Sequence, residues 1–142
     1  MLSQTAEYAL RAAVRLAELH PEGPIRVDDI AADLRVPRNY LSKILHSLVK
    51  AGVCASTRGP HGGFQLVRPP DQIRLVEVVG EFDPALVSSE RACLLGREAC
   101  SDEDPCAAHE RWGGVRQRVT SFFEETTLDL LVRGGAALPA GN

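Results

Sequence analysis

Residues 27–67 read VDDIAADLRVPRNYLSKILHSLVKAGVCASTRGPHGGFQLV, and several local signals follow one another along them. Asp28 and Asp29 suit the N-terminus of a first helix, and Arg35, Val36 and Pro37 make a turn. Pro37 suits the first position of a second helix, because its fixed φ is already helical, and Gly52 stops that helix. Along the second helix Leu41, Ile44, Leu45 and Leu48 fall on one face, leaving Arg38, Asn39, Ser42, Lys43 and His46 on the other. That second set is basic and amide-bearing and contains no acid. Two short helices of which the later one shows such a face describe a helix-turn-helix.

The hairpin signal comes next. VCAS and FQLV are short extended runs joined by TRGPHGG, a loop that needs permissive backbone. A hairpin placed directly after a recognition helix reads as the wing of a winged helix. Gly59, Gly62 and Gly63 let its tip approach a phosphate backbone closely, and Arg58 brings a planar guanidinium that can enter a narrow groove. His61 at the same tip is a candidate phosphate contact. Loop glycines alone would be turn chemistry; in register after a basic helix they point to double-stranded DNA. His46 is read as either a DNA contact or a solvated side chain.

Charge agrees with this placement. The 142-residue chain carries a net charge of -3, yet residues 1–74 hold ten Lys or Arg against seven Asp or Glu, and residues 75–142 hold six against twelve. Between Arg35 and Arg74 seven basic residues stand against the single acid Asp71. A basic face within an acidic chain suits an anionic polymer as partner. Hydrophobic content of 44% with 25% charged residues belongs to a globular protein rather than a disordered one. No apolar run approaches a bilayer span, and Glu7 and Arg11 interrupt the N-terminal stretch where a signal peptide needs apolar residues. A cytoplasmic setting without a membrane partner, in which thiols are reduced, is therefore expected.

Residues 3–19 place Ala6, Leu10, Val14 and Ala17 on one helical face, opposite Glu7, Arg11, Arg15 and Glu18. In the second half Cys93, Cys100 and Cys106 lie within fourteen residues, separated by six and then five residues, with His109 three positions after Cys106. Structural zinc sites prefer ligand pairs two to four residues apart, whereas a wide thiolate loop can wrap a larger inorganic cluster. Structural zinc and a redox-switching thiol pair stay open beside the cluster. A thiol oxidoreductase using Cys106 and His109 fits less well, because Glu103 and Asp104 make the loop acidic and oppose thiolate formation. No catalytic residues are expected. Cys54, in an apolar run, reads as a buried small hydrophobe. Trp112, Val115, Val119, Phe122 and Phe123 form an apolar stripe at helical spacing, which packs either on its own chain or on a second copy.

AEYALRA near the N-terminus, NYLSKIL in the second helix, RGPHGGF in the hairpin, the three-cysteine loop, CAAHERW and TLDLLV are all present. In these motifs the chain resembles the bacterial iron-sulfur winged-helix regulators typified by IscR and NsrR, over about residues 1–133. The resemblance implies a homodimeric transcription factor, often a repressor, that binds a palindromic operator with an affinity set by a bound cluster. It makes Cys93, Cys100 and Cys106 the thiolate ligands. His109 matches the fourth ligand of the 2Fe-2S branch, and Glu7 of the partner copy is the alternative. A 2Fe-2S cluster is expected, with 4Fe-4S as the other form. Arg38, Asn39, Ser42, Lys43, Arg58 and Gly59 fall in the DNA-reading elements. The expected fold is mainly α with a small β-hairpin wing: a winged helix-turn-helix over 1–80, a cluster loop over 81–110, a long dimerisation helix over 111–133 and a disordered tail over 134–142.

Overall fold

A computed structural model describes residues 1–88, 93–98 and 100–134, so the tail expected over 134–142 lies outside the described residues except for Gly134. The first helix, α1 (Gln4–Glu18), starts where the Ser3 hydroxyl accepts a hydrogen bond from the Ala6 amide at 3.1 Å. Ala6, Ala9, Ala12, Ala13 and Ala17 are buried along it, and such short side chains let neighbouring helices pack close to its backbone. Two helices follow, α2 (Val27–Leu34) and α3 (Arg38–Lys50). The turn between them is closed by Arg35 at φ 53°, and Pro37 caps α3 from outside rather than opening it. Leu41, Ile44, Leu45 and Leu48 are all buried, as their spacing requires.

The hairpin is formed by β1 (Cys54–Thr57) and β2 (Gly63–Leu66), antiparallel, with Cys54 opposite Leu66 and Thr57 opposite Gly63. A third extended segment joins it. Ile25, just before α2, exchanges two backbone hydrogen bonds of 2.8 Å each with Phe64, so the wing is anchored to the start of the helix-turn-helix.

Among the described residues four α-helices follow: α4 (Leu75–Phe82), the short α5 (Pro84–Val87), α6 (His109–Glu125) and α7 (Leu128–Arg133). The helix read over 111–133 is thus two helices, broken at Thr126 and Thr127. The break has a structural cause: the Leu75 amide donates to the Thr126 carbonyl at 2.9 Å, and the Leu128 amide donates to the Ile73 carbonyl at 3.0 Å. These bonds carry the chain back to the N-terminal half, where α7 packs on α1 and Leu128 is fully buried. The apolar stripe of α6 is correspondingly divided. Phe123 is buried and Val119 packs against the core, whereas Val115 and Phe122 remain 48% and 51% exposed.

One α1 residue departs from its expected face. Arg11, placed opposite the apolar face with Glu7, Arg15 and Glu18, is 6% exposed. Its Nη2 donates to the Leu34 carbonyl at 3.4 Å, its guanidinium lies 5.6 Å from the centre of the Tyr8 ring, and Nη1 is 4.0 Å from a Glu7 carboxylate oxygen. A buried guanidinium costs free energy unless such partners surround it. Helical periodicity places Glu7 and Tyr8 beside it, but the Leu34 carbonyl belongs to another element.

Candidate metal centre and nucleic-acid interface

On α3 the residues read as a DNA-facing set lie on one surface. Asn39, Lys43 and His46 are exposed and Ser42 is half-buried. His46 is tied down: its Nδ1 donates to the Ser42 carbonyl at 2.7 Å, and its ring meets Phe64 of β2 edge to face at 5.2 Å. It thereby links α3 to β2 of the wing. At the wing tip Arg58, Gly59 and His61 are exposed, with Gly59 at φ 107° and its carbonyl accepting from the Gly62 amide at 3.0 Å. The N-terminus of α3 is held to α1 through Tyr40, whose hydroxyl lies 2.6 Å from that of Thr5 and whose ring meets Tyr8 edge to face. Tyr40 was not singled out in the sequence; its NYLSKIL context marks the helix but not this contact.

Part of the basic tilt between Arg35 and Arg74 is structural. Arg68 pairs with Glu77 and also donates to the Gly52 carbonyl at 3.3 Å. Arg38 donates through Nε to Asp28 Oδ1 at 2.7 Å. An acid distant in sequence thus meets the recognition helix.

The second site is built by the loop that leads into α6. The Sγ atoms of Cys93, Cys100 and Cys106 all lie within 4.8 Å of one another. Cys93 and Cys106 are 3.6 Å apart, and Cys100 is 3.1 Å from His109 Nδ1. The other imidazole nitrogen, Nε2, lies 3.0 Å from Asp102 Oδ1. Such a carboxylate behind an imidazole fixes the tautomer and ring orientation of a metal-binding histidine. Asp102 could be noticed in the sequence only as part of SDED; its partner was not legible there. The loop is braced by Arg97, which pairs with Asp104 at 2.6 Å, and by the Ser101 hydroxyl, which accepts from the Glu103 and Asp104 amides. Glu7 stands apart on α1, exposed, with Arg11 as its ion-pair partner.

The Cys93 thiol is brought down to about 7, chiefly by a hydrogen bond from the Arg97 backbone amide. Burial opposes this, while the Leu95 amide and the Cys106 and Cys100 thiols reinforce it. The Cys100 thiol moves up instead: the Cys106 amide favours its thiolate, but burial and the adjacent Cys106 and Cys93 sulfurs outweigh that. One thiol of the group therefore ionises ahead of another, because neighbouring thiolates repel. The lowered Cys93 thiol thus owes its position to backbone amides, in a loop whose Asp104 is paired with Arg97. The thiols and His109 open into a cleft of about 600 Å³ that continues along α6 past Trp112 and Arg116.

Cys54 behaves as expected. It is 1% exposed, and burial pushes its thiol up to about 12. At pH 8 almost none of it is thiolate, so iodoacetamide will leave Cys54 unmodified in the folded protein and alkylate it once guanidinium unfolds the chain. Mass spectrometry of peptides from both conditions checks this; native labelling at the loop rate would contradict the burial.

A helix-turn-helix with a wing, joined to a second half that gathers three thiols and an imidazole, defines a winged-helix regulator with a thiol-rich centre. Residues 2–134 match the Rrf2 family, described as iron-dependent transcriptional regulators, and the chain belongs to that family. An HTH-type transcriptional regulator of Aquifex aeolicus is 35% identical over 93% of this chain and 91% of its own length. The regulator IscR of Pectobacterium carotovorum is 31% identical over 96% of this chain and 82% of its own length. Among solved structures, CymR, the global cysteine regulator of B. subtilis, superposes with a TM-score of 0.81 at 28% identity, covering 96% of this chain and 98% of that one. The chain is a transcriptional regulator of this type, and among the described residues no helix is long and apolar enough to cross a membrane.

Proposed function

We propose that this regulator binds palindromic double-stranded DNA as a homodimer, acts as a repressor, and has its operator affinity set by an iron-sulfur cluster. The observation that carries the reading is the grouping of donors into two close pairs, Cys93 with Cys106 and Cys100 with His109. Cys93, Cys100, Cys106 and His109 would hold the cluster, and thiolate with imidazole is a donor set used by such clusters. When bound, the cluster would supply one-electron redox chemistry and reactivity toward nitric oxide. His109 would ligate through Nδ1 while Nε2 donates to Asp102. Glu7 of the partner copy is the alternative fourth ligand, and 4Fe-4S the alternative form.

The chain's own packing offers a route from this loop to the DNA. The loop enters α6, α6 packs on α4, and α4 packs on α1. From α1, Arg11 reaches the Leu34 carbonyl at the turn before α3, and Thr5 and Tyr8 hold Tyr40 within α3. Through this packing a shift of the loop would reach the recognition helix, as a sensor needs. The half-exposed Val115 and Phe122 on α6 suit the dimer interface. A two-fold dimer would set its α3 helices in successive major grooves, about 10 base pairs apart, with the wings and Arg58 on the flanking minor grooves.

A cluster-free thiol switch is the second reading, favoured by the 3.6 Å between the Cys93 and Cys106 sulfurs. The test purifies the protein without oxygen, measures visible absorption, iron and sulfide, and titrates selected operator duplex before and after cluster removal by chelator. Brown protein whose affinity changes when the cluster is removed is the expected result. Colourless protein whose operator affinity changes on forming a Cys93–Cys106 disulfide would establish the second reading instead.

A further inference from the structure

Recognition helix α3 has no acid of its own, yet its first residue is met by one. Asp28, in the first turn of α2, accepts from Arg38 Nε through Oδ1 at 2.7 Å, and its other oxygen is 3.8 Å from Arg26 Nη2. Both side chains of the tighter pair remain accessible, with exposures of 56% for Arg38 and 50% for Asp28. In the sequence Asp28 suits a helix N-terminus and Arg38 belongs to a face free of acids.

We infer that Asp28 is a positioning residue for base recognition, holding the Arg38 guanidinium so that α3 reads a guanine with it. This inference rests on the DNA-binding reading above and names the residue that would confer sequence preference. A guanidinium has five N–H donors in a planar fork, and engaging Nε leaves the Nη1 and Nη2 end available. That end matches the O6 and N7 acceptors on the major-groove edge of guanine, a bidentate contact. Arg38 stands at the N-terminus of α3, the part of a recognition helix that contacts base edges.

The carboxylate adds a second effect. An unheld arginine can swing to any nearby phosphate and bind without regard to sequence, whereas a carboxylate beside the duplex is repelled by phosphates. Asp28 therefore lowers affinity for arbitrary DNA while preserving it for the duplex that offers guanine in the right place. An exposed ion pair adds little to folding stability. Its consequence lies in where the fork points.

The experiment uses the full-length protein, purified anaerobically, and selects sequences from a library of randomised duplexes. Parent protein, Asp28→Asn, Asp28→Glu and Arg38→Ala are carried through the same selection, and binding constants are then measured on the parent's selected duplex and on a scrambled one. We expect Asp28→Asn and Arg38→Ala to lose guanine preference at the same symmetry-related positions, with other positions unchanged. Discrimination at those positions should fall about fivefold or more, the value of one good base contact. Asp28→Asn should also bind the scrambled duplex as tightly as the parent or more tightly, and Asp28→Glu should retain part of the preference. Preference kept at every position in Asp28→Asn, or lost evenly at all positions, overturns the assignment. So does tighter binding to both duplexes with unchanged discrimination, which would make Asp28 a simple competitor for Arg38. A parent protein that enriches no sequence would instead defeat the DNA-binding reading itself.

Discussion

On the cluster reading, Cys106→Ser will purify without most of the iron and visible absorption expected of the parent. Each thiolate is a large part of the coordination shell, and a serine oxygen is a hard, weakly binding substitute for soft sulfur. Cys106 also touches both ends of the donor set: its sulfur is 3.6 Å from Cys93, and its carbonyl accepts from the His109 amide at 3.0 Å. Cys93→Ser and Cys100→Ser should behave alike. His109→Ala is expected to be milder, with a cluster that forms, shows altered optical and paramagnetic spectra, and is lost faster in air. Glu7→Ala should leave the spectra unchanged, because His109 reaches the thiols within one chain. Iron and sulfide analysis with the two spectroscopies decides the matter. Full iron in Cys106→Ser would remove Cys106 from the ligands, and a spectral change in Glu7→Ala alone would assign the fourth position to the partner subunit's carboxylate.

The second large effect is expected at the base of the wing. A Cβ added at Gly63 would lie 2.3 Å from the Ile25 carbonyl oxygen and 2.9 Å from the Arg26 amide nitrogen. Those are backbone atoms, which cannot turn aside as a side chain can. Gly63→Ala must therefore part the hairpin from the segment before α2, loosening both Ile25–Phe64 hydrogen bonds. Lost hydrogen bonds and overpacking together should cost about 2–5 kcal/mol. Gly59→Ala is the control, since at φ 107° it meets nothing within 4 Å and adds backbone strain alone, about 1–2 kcal/mol. Urea unfolding of both variants gives the comparison. Equal midpoints would show that the wing is not anchored through Ile25, whereas the expected order is parent, Gly59→Ala, then Gly63→Ala.

Much of this protein was determined by local sequence. The helix-turn-helix follows from apolar spacing in α3, the turn at Arg35 to Pro37 and the stop at Gly52, because helix periodicity and chain punctuation act within a few residues. The hairpin follows from two extended runs around a glycine-rich loop for the same reason. The thiol loop was legible as a donor set because three cysteines and a histidine lie within seventeen residues. What only the tertiary structure decided are the pairings between elements. Arg11 is buried and reaches the Leu34 carbonyl of another helix, although it stands opposite the apolar face of its own. The helix read over 111–133 breaks at Thr126 because Ile73 and Leu75 take the backbone bonds that a continuous helix would have used. Arg38 meets Asp28, and His109 meets Asp102, through contacts that no periodicity encodes. Spacing along one chain fixes which side chains share a face; which groups face each other across two elements depends on how those elements pack, and there the desolvation of a charge or amide is compensated or left uncompensated.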